Sequence, residues 1–287
     1  MRVLTVATHQ EGYLGLLKDS SRRWDYQLEV LGWGQEWQGL DWKLDLYCEA
    51  LHGVDPEEVL MCVDAFDVVL VGPAEEARRK FCALGVPFLC SGQRRFAEWA
   101  WMERLADKVM TDDPDFDPDQ YPSIESPYKR PCTGMMMGRG GHLLQLFQRL
   151  RSRESRRVHN DQILMTRFYL DHPEAVALDG RCAVFQNLWK SRGMLWGSAS
   201  AKDEKSEVRL GQVDGQSRLR NVWSGETPCV LHGPRNLDLK PILTELGYEA
   251  PGVAPKHRLH YLRYSVLHYV TRLLFHVAPR WVGSPRG

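Results

Sequence analysis

Net charge is the first thing this sequence lacks: 37 Lys+Arg balance 37 Asp+Glu over 287 residues. A general polyanion-binding surface, and with it a nucleic-acid partner, is therefore not indicated. No run approaches the roughly 18 apolar residues from which a membrane-spanning helix becomes a candidate. The N-terminal "MRVLTVAT" does not have the form of a secretory peptide, a charged segment followed by a long apolar stretch. No C-x-x-C pair occurs among Cys48, Cys62, Cys82, Cys90, Cys132, Cys182 and Cys229, which argues against a zinc knuckle or a redox motif. Cys62, Cys90 and Cys229 lie in apolar runs and read as reduced core thiols. An odd cysteine count without a signal sequence leads us to expect a reducing, cytoplasmic compartment. No internal repeat is visible.

Hydrophobic residues make up 43% and charged residues 26%, the balance of a globular chain with a sizeable core. Residues 2–8 are apolar and β-branched, as a buried strand requires. A helical stretch at 13–23, an alternating strand at 26–32 and a helix over 40–53 follow. Residues 59–72, "VLMCVDAFDVVLVG", read as a near-continuous apolar strand covered on both faces, with Asp64 at the carboxyl end of "VLMCV" and Asp67 across a small turn. A helix at 73–85 has Pro near its start, acids in its first turn and Gly at its end, and 86–92 is the next strand. This alternation predicts an α/β fold with a parallel, doubly wound sheet. The acidic, Pro-rich stretch 111–127 reads as a mobile loop. Helices are expected at 141–155 and 160–173, the second capped by Asn160. A polar excursion with a hairpin at 197–219 and a short strand at 228–233 complete residues 1–251, read as one domain.

Residues 252–287 form a separate tail. Its part 256–287 has six basic residues and no acid. Leu259, Leu262, Val266, Val270, Leu273 and Val277 recur at spacings of three and four, one apolar helix face. That face either docks on the domain or makes peripheral membrane contact.

Asp64 and Asp67 pose the sharpest question, because a carboxylate in an apolar run is costly unless something pairs with it. In an open α/β sheet, ligands bind beyond the carboxyl ends of the strands. Two carboxylates converging there suit a hard divalent cation, Mg²⁺ or Mn²⁺. His232, at the end of "CVLH", is a candidate third ligand, and an imidazole tilts the choice towards Mn²⁺. Isolated D-x-x-D pairs are mostly solvated turns, and a lone His is more often a satisfied core or surface residue. A rival acidic run, "DPDFDPD" at 113–119, spells D-x-D twice. It lacks a preceding apolar strand to hold its geometry and reads as a solvated loop.

"TVAT", "LGWGQEWQG", "VDAFDVVL", "NDQILMTRFYLD", "VFQNL" and "VLHG" stand in an order and spacing that resemble the glycosyltransferase domain of procollagen lysyl hydroxylases. They also resemble the stand-alone relatives of that domain. The resemblance covers residues 3–251. It implies a GT-A fold with a Rossmann-like, mostly parallel central sheet, binding a UDP-sugar through Mn²⁺ or Mg²⁺. Carried over residue by residue, it implies that Asp64, Asp67 and His232 hold the metal. Val6 and Thr8 would contact uridine, and Phe66 would stack on uracil where the family usually has Tyr. Lys43 would stand near the diphosphate. Asp161, with Asn160, would lie nearest the reacting carbon. Gln162 and Asn187 would shape the sugar pocket, and Gly233 closes the "VLHG" motif beside the donor. The family's glycine-rich loop after "EW-x-G" is largely absent here, which leaves water exclusion to Trp37 and Trp42. Phe96 replaces a pocket tryptophan, and the acidic run before Asp161 is reduced to "HNDQ". The implied activity is hexose transfer, glucose or galactose, to a hydroxyl of a peptide or glycan. By family analogy the transfer is a retaining glucosyl transfer. A non-catalytic binding module and a metal-dependent phosphohydrolase stay open as alternatives.

Overall fold

Apolar runs bounded by turn residues alternate with amphipathic stretches, and each pairing buries one face of a helix on a sheet. The computed structural model describes residues 1–96, 100–113, 115–152, 160–188, 200–202, 206–234 and 237–251. The first half comprises β1 (Arg2–Val6), α1 (Leu14–Arg23), β2 (Gln27–Leu31), α2 (Leu40–Leu51), β3 (Val59–Asp64), β4 (Val68–Leu70), α3 (Ala74–Leu84), β5 (Phe88–Gln93) and α4 (Ala100–Thr111). The second half has β6 (Arg130–Arg139), α5 (Gly140–Ser152), α6 (Asp161–Asp171), β7 (Ala177–Asp179), β8 (Phe185–Asn187), β9 (Val208–Val213), β10 (Gln216–Asn221), β11 (Val230–His232) and α7 (Lys240–Glu245).

The central sheet has six strands in the order β2-β1-β3-β6-β5-β7. All run parallel except β6, which is antiparallel to both of its neighbours. Side chains alternate across this sheet, so both faces are covered. Leu60 and Cys62 of β3 join the cluster built on α2, α5 and α6, with Tyr47 and Phe147 stacked at 5.4 Å. Met61 and Val63 join the opposite cluster, with Leu14 and Leu17 of α1 and Phe81 of α3. A second sheet, β4-β11-β8, pairs β11 antiparallel to β4 and parallel to β8. The hairpin β9–β10 turns at Asp214 and Gly215, both at positive φ, as a two-residue turn of this type demands.

The structure adds to three sequence expectations. The small turn between Asp64 and Asp67 divides the run 59–72 into two strands that lie in two different sheets. The central sheet is mostly parallel, as the resemblance implies, and β6, to which the sequence reading assigns no element, inserts antiparallel between β3 and β5. Described residues of the loop at 111–127 are tied to the core: Phe116 and Tyr121 are buried in edge-to-face contact at 5.1 Å, and Asp117 caps a short turn at Pro118–Gln120. The basic tail beyond residue 251 lies outside the described residues. Among the described residues, no helix is long and apolar enough to cross a membrane.

Candidate metal centre and nucleotide-sugar site

Strand register brings the acids and the histidine together. Asp64 ends β3, level with Val6 of β1. β11 pairs with β4 so that His232 faces Val68, the residue after Asp67. The Gly233 N–H then donates to the Asp67 carbonyl at 2.9 Å. One ligand atom from each of Asp64, Asp67 and His232 lies within 4.8 Å of the others. His232 Nε2 stands 3.3 Å from Asp67 Oδ2 and 4.0 Å from Asp64 Oδ2. It is buried and makes no hydrogen bond there.

The other side of the imidazole is fixed. Asn187 donates to the Gly92 carbonyl at 2.8 Å, which turns its Oδ1 towards His232 Nδ1 at 2.6 Å. A neutral ring held this way carries its hydrogen on Nδ1 and presents a bare Nε2 to the two carboxylates, as a metal-binding histidine does. Burial opposes a charge on His232, but Asp67 and Cys132 outweigh it and raise the imidazole well above its ordinary value, so a proton and a cation would compete for Nε2.

Room for this ring comes from β6. The β5–β6 ladder jumps from Cys90–Met136 to Ser91–Cys132, so Thr133, Gly134 and Met135 have no partner on β5. Gly134 sits in that bulge, and a β-carbon on it would collide with His232 Cε1 and come within 3.0 Å of Asp64 Oδ2. Gln162 holds the bulge, accepting from the Thr133 N–H at 3.1 Å and donating to the Pro131 carbonyl at 2.8 Å. The sequence reading missed Gly134 and its strand. A glycine inside an apolar run was the available signal.

Lys43 of α2 lies between Asp64 Oδ1, at 2.9 Å, and Asp161 Oδ2, at 2.6 Å. Burial opposes its charge, yet Asp161 and Asp64 raise the ammonium well above its ordinary value. Burial likewise works against ionised Asp64, and Lys43, then His232, hold its carboxyl below the usual range. Asp161 is the first residue of α6, and Asn160 caps that helix by accepting from the Gln162 and Ile163 N–H groups. Phe66 lies on the loop between the two acids, half-buried. Thr8, just past β1, is also half-buried.

Phe96 is buried in the core, 5.8 Å from the Arg130 guanidinium. Trp37 is exposed and meets the buried Trp42 edge-to-face at 5.6 Å. The carboxylates of Asp113 and Asp117 accept backbone N–H groups within their own loop, and among the described residues the Asp64 group alone meets the geometry of a metal cluster.

The family model for the PLOD GT domain matches residues 1–254. Mouse procollagen-lysine,2-oxoglutarate 5-dioxygenase 2 is 27% identical over 266 residues, covering 87% of this chain and 31% of the relative. The human multifunctional procollagen lysine hydroxylase and glycosyltransferase LH3 is 29% identical over 258 residues, covering 83% of this chain and 30% of the relative. The Drosophila procollagen-lysine,2-oxoglutarate 5-dioxygenase is 28% identical over 248 residues, covering 81% and 30%. The match therefore spans less than a third of each relative. Sheet, site and sequence agree on one assignment: the chain belongs to the PLOD GT domain family, with its GT-A-like α/β fold.

Proposed function

We propose that this chain is a metal-dependent glycosyltransferase that moves a hexose, glucose or galactose, from a UDP-sugar to a hydroxyl of a peptide or glycan. The observation that carries the reading is the gathering of Asp64, Asp67 and His232 at the carboxyl edge of the central sheet. The residues fit a cation, because His232 Nε2 is buried without a hydrogen bond and Gly134 leaves it the space to face both acids. Asp64, Asp67 and His232 would hold Mn²⁺ or Mg²⁺, which when bound neutralises the leaving diphosphate.

The protein's own groups do the rest. Asn187 keeps the hydrogen of His232 on Nδ1. Lys43 pairs with the buried Asp161 carboxylate close to Asp64, where a negative charge would favour the oxocarbenium character of the transition state. Phe66 offers a ring face to the base. Held between two carboxylates, Lys43 acts mainly by placing those acids and less by adding free positive charge to a diphosphate.

A UDP-release screen across nucleotide sugars tests this, with Mn²⁺ present and with chelator. Release from UDP-glucose or UDP-galactose is expected, and is expected to stop on chelation and in Asp64→Ala. UDP binding with no turnover on any donor or acceptor would make the chain a binding module. Phosphate release from simple esters would make it a phosphohydrolase.

A further inference from the structure

The loop after β1 carries a row of hydrogen bonds that the proposed chemistry does not use. Thr8 Oγ1 lies 2.9 Å from His9 Nδ1, and His9 Nε2 lies 3.0 Å from Glu11 Oε2. The His9 ring stands 5.6 Å from the Phe66 ring, tilted by 48°. The Tyr13 N–H donates to the Phe66 carbonyl at 2.8 Å, tying this loop to the one between Asp64 and Asp67. Thr8, His9 and Phe66 thus form one wall beyond the carboxyl ends of β1 and β3.

Chemistry sets the direction of the row. An ionised carboxylate only accepts, so His9 Nε2 carries the hydrogen. In a neutral ring Nδ1 is then bare and takes the hydrogen of the Thr8 hydroxyl. Thr8 Oγ1 is left with lone pairs alone for a ligand. An unconstrained hydroxyl would rotate to donate or accept as the ligand required. The Phe66 side chain has no polar atom with which to read a base, whereas Thr8 Oγ1 on the same wall can still take a hydrogen bond from a ligand.

We propose that His9 and Glu11 are positioning residues that lock Thr8 as an acceptor, selecting uracil, whose ring N3 carries a hydrogen, over cytosine, whose N3 is bare. The proposal rests on the nucleotide-sugar reading of the site. Calorimetric titration with UDP and with CDP, each with Mn²⁺, tests it at about pH 8, where an imidazole is neutral. The wild-type chain is expected to prefer UDP. His9→Phe keeps a ring against Phe66 but removes the acceptor, and the UDP-to-CDP affinity ratio is expected to fall about fivefold, the worth of one hydrogen bond. In Glu11→Gln the side-chain carbonyl still accepts from Nε2–H, so most of the ratio is expected to survive. Both residues lie on the surface, and melting curves check that the variants fold. An unchanged ratio in His9→Phe, or equal loss of both nucleotides, overturns the relay and leaves the nucleotide site standing. Equal wild-type affinity for UDP and CDP overturns the selection. Wild-type binding of neither nucleotide overturns the site reading and the relay together.

Discussion

Lys43 shows how much of the site rests on one side chain. Its ammonium is almost fully buried between Asp64 and Asp161, and the Asp161 side chain is only 4% exposed. Removing one member of such a group leaves a buried charge without compensation, at a cost of about 3–5 kcal/mol. Lys43→Met is therefore expected to lower the urea unfolding free energy by about that amount. Lys43→Met combined with Asp161→Asn is expected to recover much of the loss, because the more deeply buried of the two stranded carboxylates is gone while Asp64 is partly exposed. Additive losses in this double-mutant cycle would show that the two residues do not act as a pair. The sequence offered Lys43 only through the family resemblance. No spacing rule links position 43 to positions 64 and 161, since the link runs from α2 across the end of β3 to α6.

At the level of elements, β6 and the hairpin decide what periodicity does not. β6 is "RPCTGMMMGR", methionines between glycines. Methionine has no strong strand preference, and glycine reads as a breaker, so the sequence carries little strand signal there. Tertiary pairing overrides this, with β3 pairing along residues 135–139 and β5 pairing on either side of the bulge. By contrast, α3 and α6 were readable because their caps and first-turn acids are local. The hairpin is held to α3 by Arg218, whose guanidinium lies 2.8 Å from Glu76, and Lys80 bonds the same carboxylate at 2.7 Å. Burial alone would raise Glu76, but the hydrogen bonds from Arg218 and Lys80 take it below its ordinary 4.5. Ionised Glu76 therefore adds stability above pH 4.5, and that contribution is lost as pH falls through the lower folded value. Glu76→Gln is expected to be less stable at neutral pH yet to lose less on acidification. Urea midpoints from about pH 7 down to about pH 2.5 check this, and parallel curves for the two proteins below about pH 4.5 would contradict it.

For the whole molecule, stability and function separate. Three buried apolar clusters cover both faces of the central sheet and the back of the second sheet, and none of them includes Asp64, Asp67 or His232. The chain is thus expected to stay folded without a metal, with near-UV circular dichroism unchanged by chelator. Metal and UDP together are expected to raise the melting temperature, by linkage worth about 2.7 kcal/mol at a hundredfold excess over Kd. Loss of the near-UV signal on chelation would mean that the metal is structural. By itself the sequence determined the α/β class, the boundaries of most helices and the first strands, and Asp64, Asp67 and His232 as the residues to examine. Those features are local or periodic, and neighbouring residues suffice to encode them. Tertiary structure alone decided that the apolar run 59–72 crosses between two sheets, that an antiparallel strand opens a bulge for the imidazole, and that Lys43 joins the acids. Each of these depends on which strands lie side by side, and that follows from packing across the whole chain.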